Sequence, residues 1–392
     1  MKCKLLPFLC LICMSCLRTS MTCGTGHANY ADTIDISFSK DISIVINNSN
    51  ESYYHSTSLY RDSLLYCMNL DYPNIIDIID ITLKNKETLN ISDTTMFKNG
   101  LFNFNVISQD SILFYLCNPP KFILIDSTGS IKRQMQGENT RINYYKRHKY
   151  HQDDFLLYSF LSAFKPVYSD NLLYIGVDPF GLYSKNRNLK RIGVFDISEN
   201  KWSSFFSNSI ENGVKRKGYG FPYDIDHPYI CISEQGIVVS YPMMHSVCVY
   251  DKQSLRLIKK SDIQSSENIV FPDPKKLNFW DSCQKTWDFR RTTPFYGPIF
   301  YHDKIGLYSR VVYHEMELFD DYGIANTDKN RRVSIVFFDK YFKVIKEVFL
   351  PEGSICFNGC WGLKDGLLLT NNLSVKDSII LKKLLIKSNR QS

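Results

Sequence analysis

Along most of this chain, apolar residues fall in short runs that alternate with polar ones or are closed off by polar turn residues. No stretch sustains apolar positions at i, i+3, i+4 and i+7 with caps at its ends, so strands are predicted and long amphipathic helices are not. One pattern recurs six times, as a polar residue, a turn or linking residue and then an apolar run. It reads Asp62-Ser-Leu-Leu-Tyr66, Asp110-Ser-Ile-Leu-Phe114, Asp170-Asn-Leu-Leu-Tyr174, Gln235-Gly-Ile-Val-Val239, Asp303-Lys-Ile-Gly-Leu307 and Asp365-Gly-Leu-Leu-Leu369. The spacings are 48, 60, 65, 68 and 62 residues, the mark of one supersecondary unit repeated.

A second apolar run follows each motif and ends on Asp or a polar turn. Clear cases are Phe122-Ile-Leu-Ile-Asp126, Ile192-Gly-Val-Phe-Asp196, Val247-Cys-Val-Tyr-Asp251 and Ile335-Val-Phe-Phe-Asp339. Asp80 and residues 379–386 give weaker versions in the first and last repeats. Asp, Ser, Asn and Gly supply the local hydrogen bonds and positive φ of tight hairpins. Another apolar run precedes the motif, at 101–108, 228–233, 294–302 and 354–363. Each unit is therefore a four-stranded meander, and the fold class expected is all-β, a six-bladed β-propeller of four-stranded antiparallel blades. Sandwiches do not repeat one motif six times, and solenoid repeats are usually shorter. Residues 32–39 and 42–46 precede the first blade, and one of them is expected to pair with the last blade and close the ring.

Composition agrees: the 25 Tyr and 26 Phe suit pleated sheets, and 44% apolar residues suffice for a large core. The net charge of +7 leans towards anionic partners but is too diffuse for nucleic acid, which is not expected as a partner. Lys2 and Lys4 precede ten apolar residues, 5–14, the layout of a signal peptide and too short to span a bilayer. Cys13-Met14-Ser15-Cys16 resembles a bacterial lipobox with Cys13 where an aliphatic residue is usual, so Cys16 is the expected lipidation site. Ordinary secretion with cleavage near 20–24 is the competing reading. The expected organisation is signal peptide 1–15, tether 16–31, propeller 32–387 and tail 388–392. Contact with membrane is expected through the lipid anchor alone.

Of twelve cysteines, five lie in the export segment and tether. Cys67, Cys117, Cys231, Cys248, Cys283, Cys356 and Cys360 form no CxxC pair and mostly sit in apolar runs, where cysteine packs as a small hydrophobe. Cys356 and Cys360 are expected on one strand face, about 13 Å apart and too distant to bridge. No metal site is assigned.

Propeller geometry sorts the connections. Turns joining strands one to two and three to four share one face and are short here. The other face carries the long ones, chiefly 137–153, 178–190, 208–226, 261–291 and 313–332. Three of these interleave bases with aromatics: 141–151, 215–223 and 279–291. Aromatic rings stack on sugars and Arg clamps carboxylates or sulfates. The candidate ligand-binding residues on this face are Tyr144, Tyr145, Arg147, His148, Lys217, Tyr219, Tyr223, His227, His245, Trp280, Trp287, Arg290 and His314. Solvated loops whose aromatics pack on neighbouring blades are the plainer alternative.

Catalytic signals are weak. No EF-hand, HExxH, GxSxG or P-loop spacing occurs. His227, His245, His302 and His314 are placed near the channel or its rim. Asp224, Asp226, Glu315, Glu317, Asp320 and Asp321 supply oxygen that calcium favours, and no other cofactor is expected.

The lipobox-like start, the length and motifs such as Asp110-Ser-Ile-Leu-Phe-Tyr115 and Ile192-Gly-Val-Phe-Asp-Ile197 resemble the six-bladed-propeller lipoproteins of Bacteroides-type bacteria grouped as domain-of-unknown-function family 4221. The resemblance covers nearly the whole mature chain. It implies a cell-envelope location, periplasmic or on the outer membrane, and a TolB-like propeller; it implies no catalytic residues. The expected function is a binding or scaffold module for a protein or glycan. The alternative is an enzyme, either a calcium-dependent hydrolase of the lactonase kind or a glycan lyase. Convergent acids at the channel mouth would favour the hydrolase, and a His, Tyr and Arg cluster in a deep groove the lyase.

Overall fold

The recurring motif marks the second strand of every blade. In a computed structural model describing residues 34–46, 52–69, 72–93, 102–117, 120–136, 155–157, 165–179, 190–208, 219–222, 225–276, 279, 282–356 and 358–388, these strands are Leu64–Asn69, Ser111–Cys117, Leu172–Pro179, Gly236–Ser240, Leu307–Tyr313 and Gly366–Leu369. The turn before them often takes left-handed backbone, at Asp62 (φ 58°), Asp170 (φ 52°) and Asn171 (φ 63°), which Asp and Asn tolerate. Glycine opens the strand in blades four and six because the third strand passes close. A Cβ at Gly236 would lie 2.3 Å from the Tyr250 carbonyl oxygen, and one at Gly366 2.0 Å from that of Leu384. In blade five the strand starts later than the motif suggests. Ile305 and Gly306 instead turn back to hydrogen-bond the His302 carbonyl.

Five blades are consecutive antiparallel meanders, and each core cluster lies where apolar faces of neighbouring sheets meet. The turn aspartates between strands three and four work alike. The Oδ1 atoms of Asp80, Asp126, Asp196, Asp251 and Asp339 accept backbone N–H groups two to four residues ahead. These local bonds define the hairpins.

The sixth blade closes the ring with residues from the start of the chain. Its strands Cys360–Leu363, Gly366–Leu369 and Ser378–Ser388 lack an outer partner of their own. Ile34–Phe38 and Ile42–Val45 both supply it, end to end along the same long strand, with Ile34 opposite Ser388 and Ile42 opposite Leu381. Eleven residues give room for both segments, where one was expected. The predicted run 354–363 is strand only from Cys360. The Gly359 N–H bonds to the Cys356 carbonyl in a tight turn, so Cys356 and Cys360 do not share a strand face. Cys67, Cys231, Cys248, Cys356 and Cys360 are free thiols.

A ten-residue helix, α1 (Cys283–Thr292), stands in the connection between blades four and five. The Ser282 side chain caps its start and Arg290 and Arg291 sit at its negative end. Among the described residues no helix is long and apolar enough to cross a membrane.

Candidate functional site

The long-loop face is best defined between blades four and five. Tyr219–Gly220 pairs antiparallel with Lys275–Lys276, which draws the connection before blade four against the one after it. Two cationic, aromatic stretches far apart in the chain thereby become neighbours. Tyr219, Lys275, Lys276, Phe279 and Lys285 line an open hollow of about 440 Å³, with the Lys285 ammonium 4.5 Å from the Phe279 ring centre. On α1, Trp287 is 49% exposed, and the Arg290 and Arg291 guanidinium carbons lie 4.5 and 5.9 Å from its ring. Residues 271–292 carry five bases against three acids. The platform is firmly seated. Buried Arg331 donates to the carbonyls of Arg290 (2.6 Å), Thr293 and His314 (2.8 Å), satisfying backbone oxygens that the end of α1 leaves open.

Several candidate histidines lie deeper. His227 is 1% exposed beside Arg191, and burial, aided by that guanidinium, holds its pKa well below the usual value. His245 is half-buried under Phe271, with Nδ1 2.8 Å from the Tyr296 hydroxyl. The Arg310 guanidinium lies over the Tyr296 ring at 3.5 Å. The three side-chain types of a lyase site do meet here, but Tyr296 and Arg310 are fully buried and Arg310 is spent on backbone carbonyls.

His314 is 4% exposed in a polar knot. Its Nδ1 lies 2.9 Å from Glu267 Oε2 and its Nε2 2.8 Å from Ser334 Oγ, the order of groups in a Ser-His-acid triad. Ser334, however, is fully buried and donates its proton to Glu347, which also takes hydrogen bonds from Ser265 and Ser266. The hydroxyl therefore accepts from His314, and the group fastens the 263–267 segment to blade five. Glu315, Glu317, Asp320 and Asp321 lie exposed beyond it, and among the described residues no three His, Cys, Asp or Glu could hold a metal ion.

His302 sits at the opposite end, fully buried. Its Nδ1 donates to the Leu363 carbonyl (2.7 Å), so Nε2 is the acceptor for Ser309 Oγ (2.8 Å). Burial pulls its pKa down to about 4, so the unfolded chain, near 6.5, gains a proton first as acid is added. The stabilisation is complete above pH 6.5 and is lost as pH falls towards 4, by about 2 kcal/mol at pH 5. Urea unfolding at pH 7.5 and pH 5 should show this loss, and His302→Gln should reduce it; an equal loss in the variant would assign the effect elsewhere.

Tyr219, Trp287 and Arg290 belong to the cationic, aromatic face. Cys16, Tyr144, Tyr145, Arg147, His148, Lys217, Tyr223, Asp224 and Trp280 lie outside the described residues. Lys275, Lys276 and Lys285 join the face without having been singled out. Their signal was present, bases flanking Phe279 and Trp280, but nothing local foretold the pairing with Tyr219.

On the axis, the first strands of all six blades surround a cavity of about 610 Å³. Ser58, Leu59 and Asp62 of blade one and residues 360–364 of blade six line it together with blades two to five. The six-bladed fold matches a solved structure. A member of the domain-of-unknown-function 4221 family from Bacteroides vulgatus superposes with a TM-score of 0.67 at 14% identity, over 91% of this chain and 99% of that one. The chain has that protein's fold. A protein of Bacteroides fragilis described as exported gives a TM-score of 0.53 at 10% identity, over 93% and 98%. No protein-family model matches the sequence, and no curated protein matches it.

Proposed function

We propose that the protein is an exported binding module, held at the cell envelope through Cys16, whose cationic and aromatic face recognises an anionic glycan. The observation that carries this reading is the Tyr219–Gly220 and Lys275–Lys276 pairing, which gathers bases and exposed rings on a rigid platform. Rings offer stacking surface for pyranose faces, and the surrounding ammonium and guanidinium groups meet carboxylates or sulfates. The basic n-region with its apolar run supports export, as does the likeness to an exported protein.

Polygalacturonate oligomers should bind saturably to the mature protein, more weakly as salt rises, while dextran should not. Lys276→Glu with Lys285→Glu should weaken binding at least tenfold, and Trp287→Ala a few-fold. Calorimetry checks both. No saturable binding, or a double variant that binds like the parent, would overturn the reading; tighter binding of polyglutamate would move the partner to an acidic protein.

A further inference from the structure

The axial cavity contains an ammonium group that the long-loop face does not use. Lys165 enters from blade three, its neighbour Pro166 held by Asn105 Nδ2 on blade two at 2.6 Å. The side chain crosses towards blades one and six. Its Nζ donates to Thr57 Oγ1 at 3.1 Å and stands 5.6 Å from the Trp361 ring centre. Trp361 Nε1 donates to the same Thr57 oxygen, also at 3.1 Å. An ammonium has three N–H groups, and among the described residues Thr57 is the hydrogen-bond acceptor for Lys165.

No carboxylate faces Lys165 among the described residues. The acids lining the cavity, Asp62 and Asp303, belong to the short turns at its far mouth, where Asp62 Oδ2 accepts the Lys364 N–H at 3.0 Å. Burial pulls the pKa of the Lys165 amine down to about 8. Leu59, Val106, Ile232, Ile299, Phe300 and Trp361 make the walls largely apolar. Exposed Asp303 and Lys364 line the mouth, so the cavity opens to solvent on the short-turn face. Its volume lies within the range of small-molecule sites.

We propose that this cavity binds a small molecule with an apolar or aromatic body and one carboxylate, with Lys165 as its counter-ion. An ammonium enclosed with no carboxylate among the described residues is costly to keep, and a ligand carboxylate supplies that counter-charge. The apolar walls take the body of such a ligand. Lys276, Lys285 and Trp287 do not line this cavity, so the variants at those positions leave it unchanged.

The probes are 3-phenylpropionate and its uncharged analogue 3-phenylpropanol, titrated into the whole mature protein by calorimetry. The carboxylate should bind saturably, one per chain, at least tenfold more tightly than the alcohol at pH 7. Its affinity should fall about tenfold per pH unit above 8, as the free amine loses its proton. Lys165→Met should abolish the preference for the carboxylate without lowering the melting temperature, because Trp361 still donates to Thr57. Absence of saturable binding, equal binding of the two probes, or an affinity flat from pH 7 to 9.5 would each overturn the proposal. None of the three needs a variant, so the test stands even if Lys165→Met fails to fold.

Discussion

Replacing Arg310 by methionine should lower the unfolding free energy by about 4 kcal/mol, a large part of the total for a domain. Arg310 is fully buried in the second strand of blade five. Its Nη1 donates to the carbonyls of His245 (2.8 Å) and Ile263 (3.2 Å), and its Nη2 to those of Tyr241 (3.0 Å) and Met244 (2.6 Å). One guanidinium thus satisfies the 241–245 turn and the exit from blade four, while its flat face covers Tyr296. Methionine fills much of the volume but leaves those oxygens without this donor. Relief of the desolvated charge offsets part of the loss, which keeps the figure below the sum of four charged hydrogen bonds. Arg310→Lys should lose roughly half as much, because an ammonium reaches some of the carbonyls but cannot copy the planar fork. Urea unfolding measures both, and amide exchange should quicken at 241–245 in the methionine variant. A loss under about 1 kcal/mol would mean that the turn can rotate its oxygens to water, against the geometry described here.

Asp226→Ala should cost about 3–5 kcal/mol, by leaving a guanidinium enclosed with its counter-ion removed. Arg191, on the third strand of blade three, is fully buried and Asp226 is 6% exposed. Arg191 Nη2 donates to the Asp226 backbone oxygen at 2.8 Å and to its Oδ2 at 3.0 Å, pinning the connection that leads into blade four. The double variant Arg191→Met, Asp226→Ala should be more stable than the sum of the single losses predicts, with a coupling of about 2 kcal/mol or more. Strictly additive losses would show that the two groups do not act as a pair. This connection also carries Tyr219 and Gly220, so its loosening should weaken polygalacturonate binding although Asp226 does not line the hollow.

The hairpins, by contrast, could be read without coordinates. Asp126 and Asp251 organise their turns through bonds to residues within four positions, and the spacing of such aspartates is visible in a line of text. The apolar runs on either side supply the strands, and their repetition implies the ring. Where the apolar pattern misled, at 354–359, a tight turn at Gly359 displaced the strand that hydrophobicity alone favoured.

What could be inferred from residue order alone was whatever depends on neighbours in the chain: strand type, turn chemistry, repeat number and hence the propeller. That Ile34–Phe38 and Ile42–Val45 both lie end to end along Ser378–Ser388, that Tyr219 lies against Lys276, and that Lys165 stands beside Thr57 and Trp361 became visible only in three dimensions. These partners are tens to hundreds of residues apart and share no local code. They meet because closing six sheets about an axis brings the start of the chain to its end and turns one strand of each sheet inward, and the functional surfaces lie at those meetings.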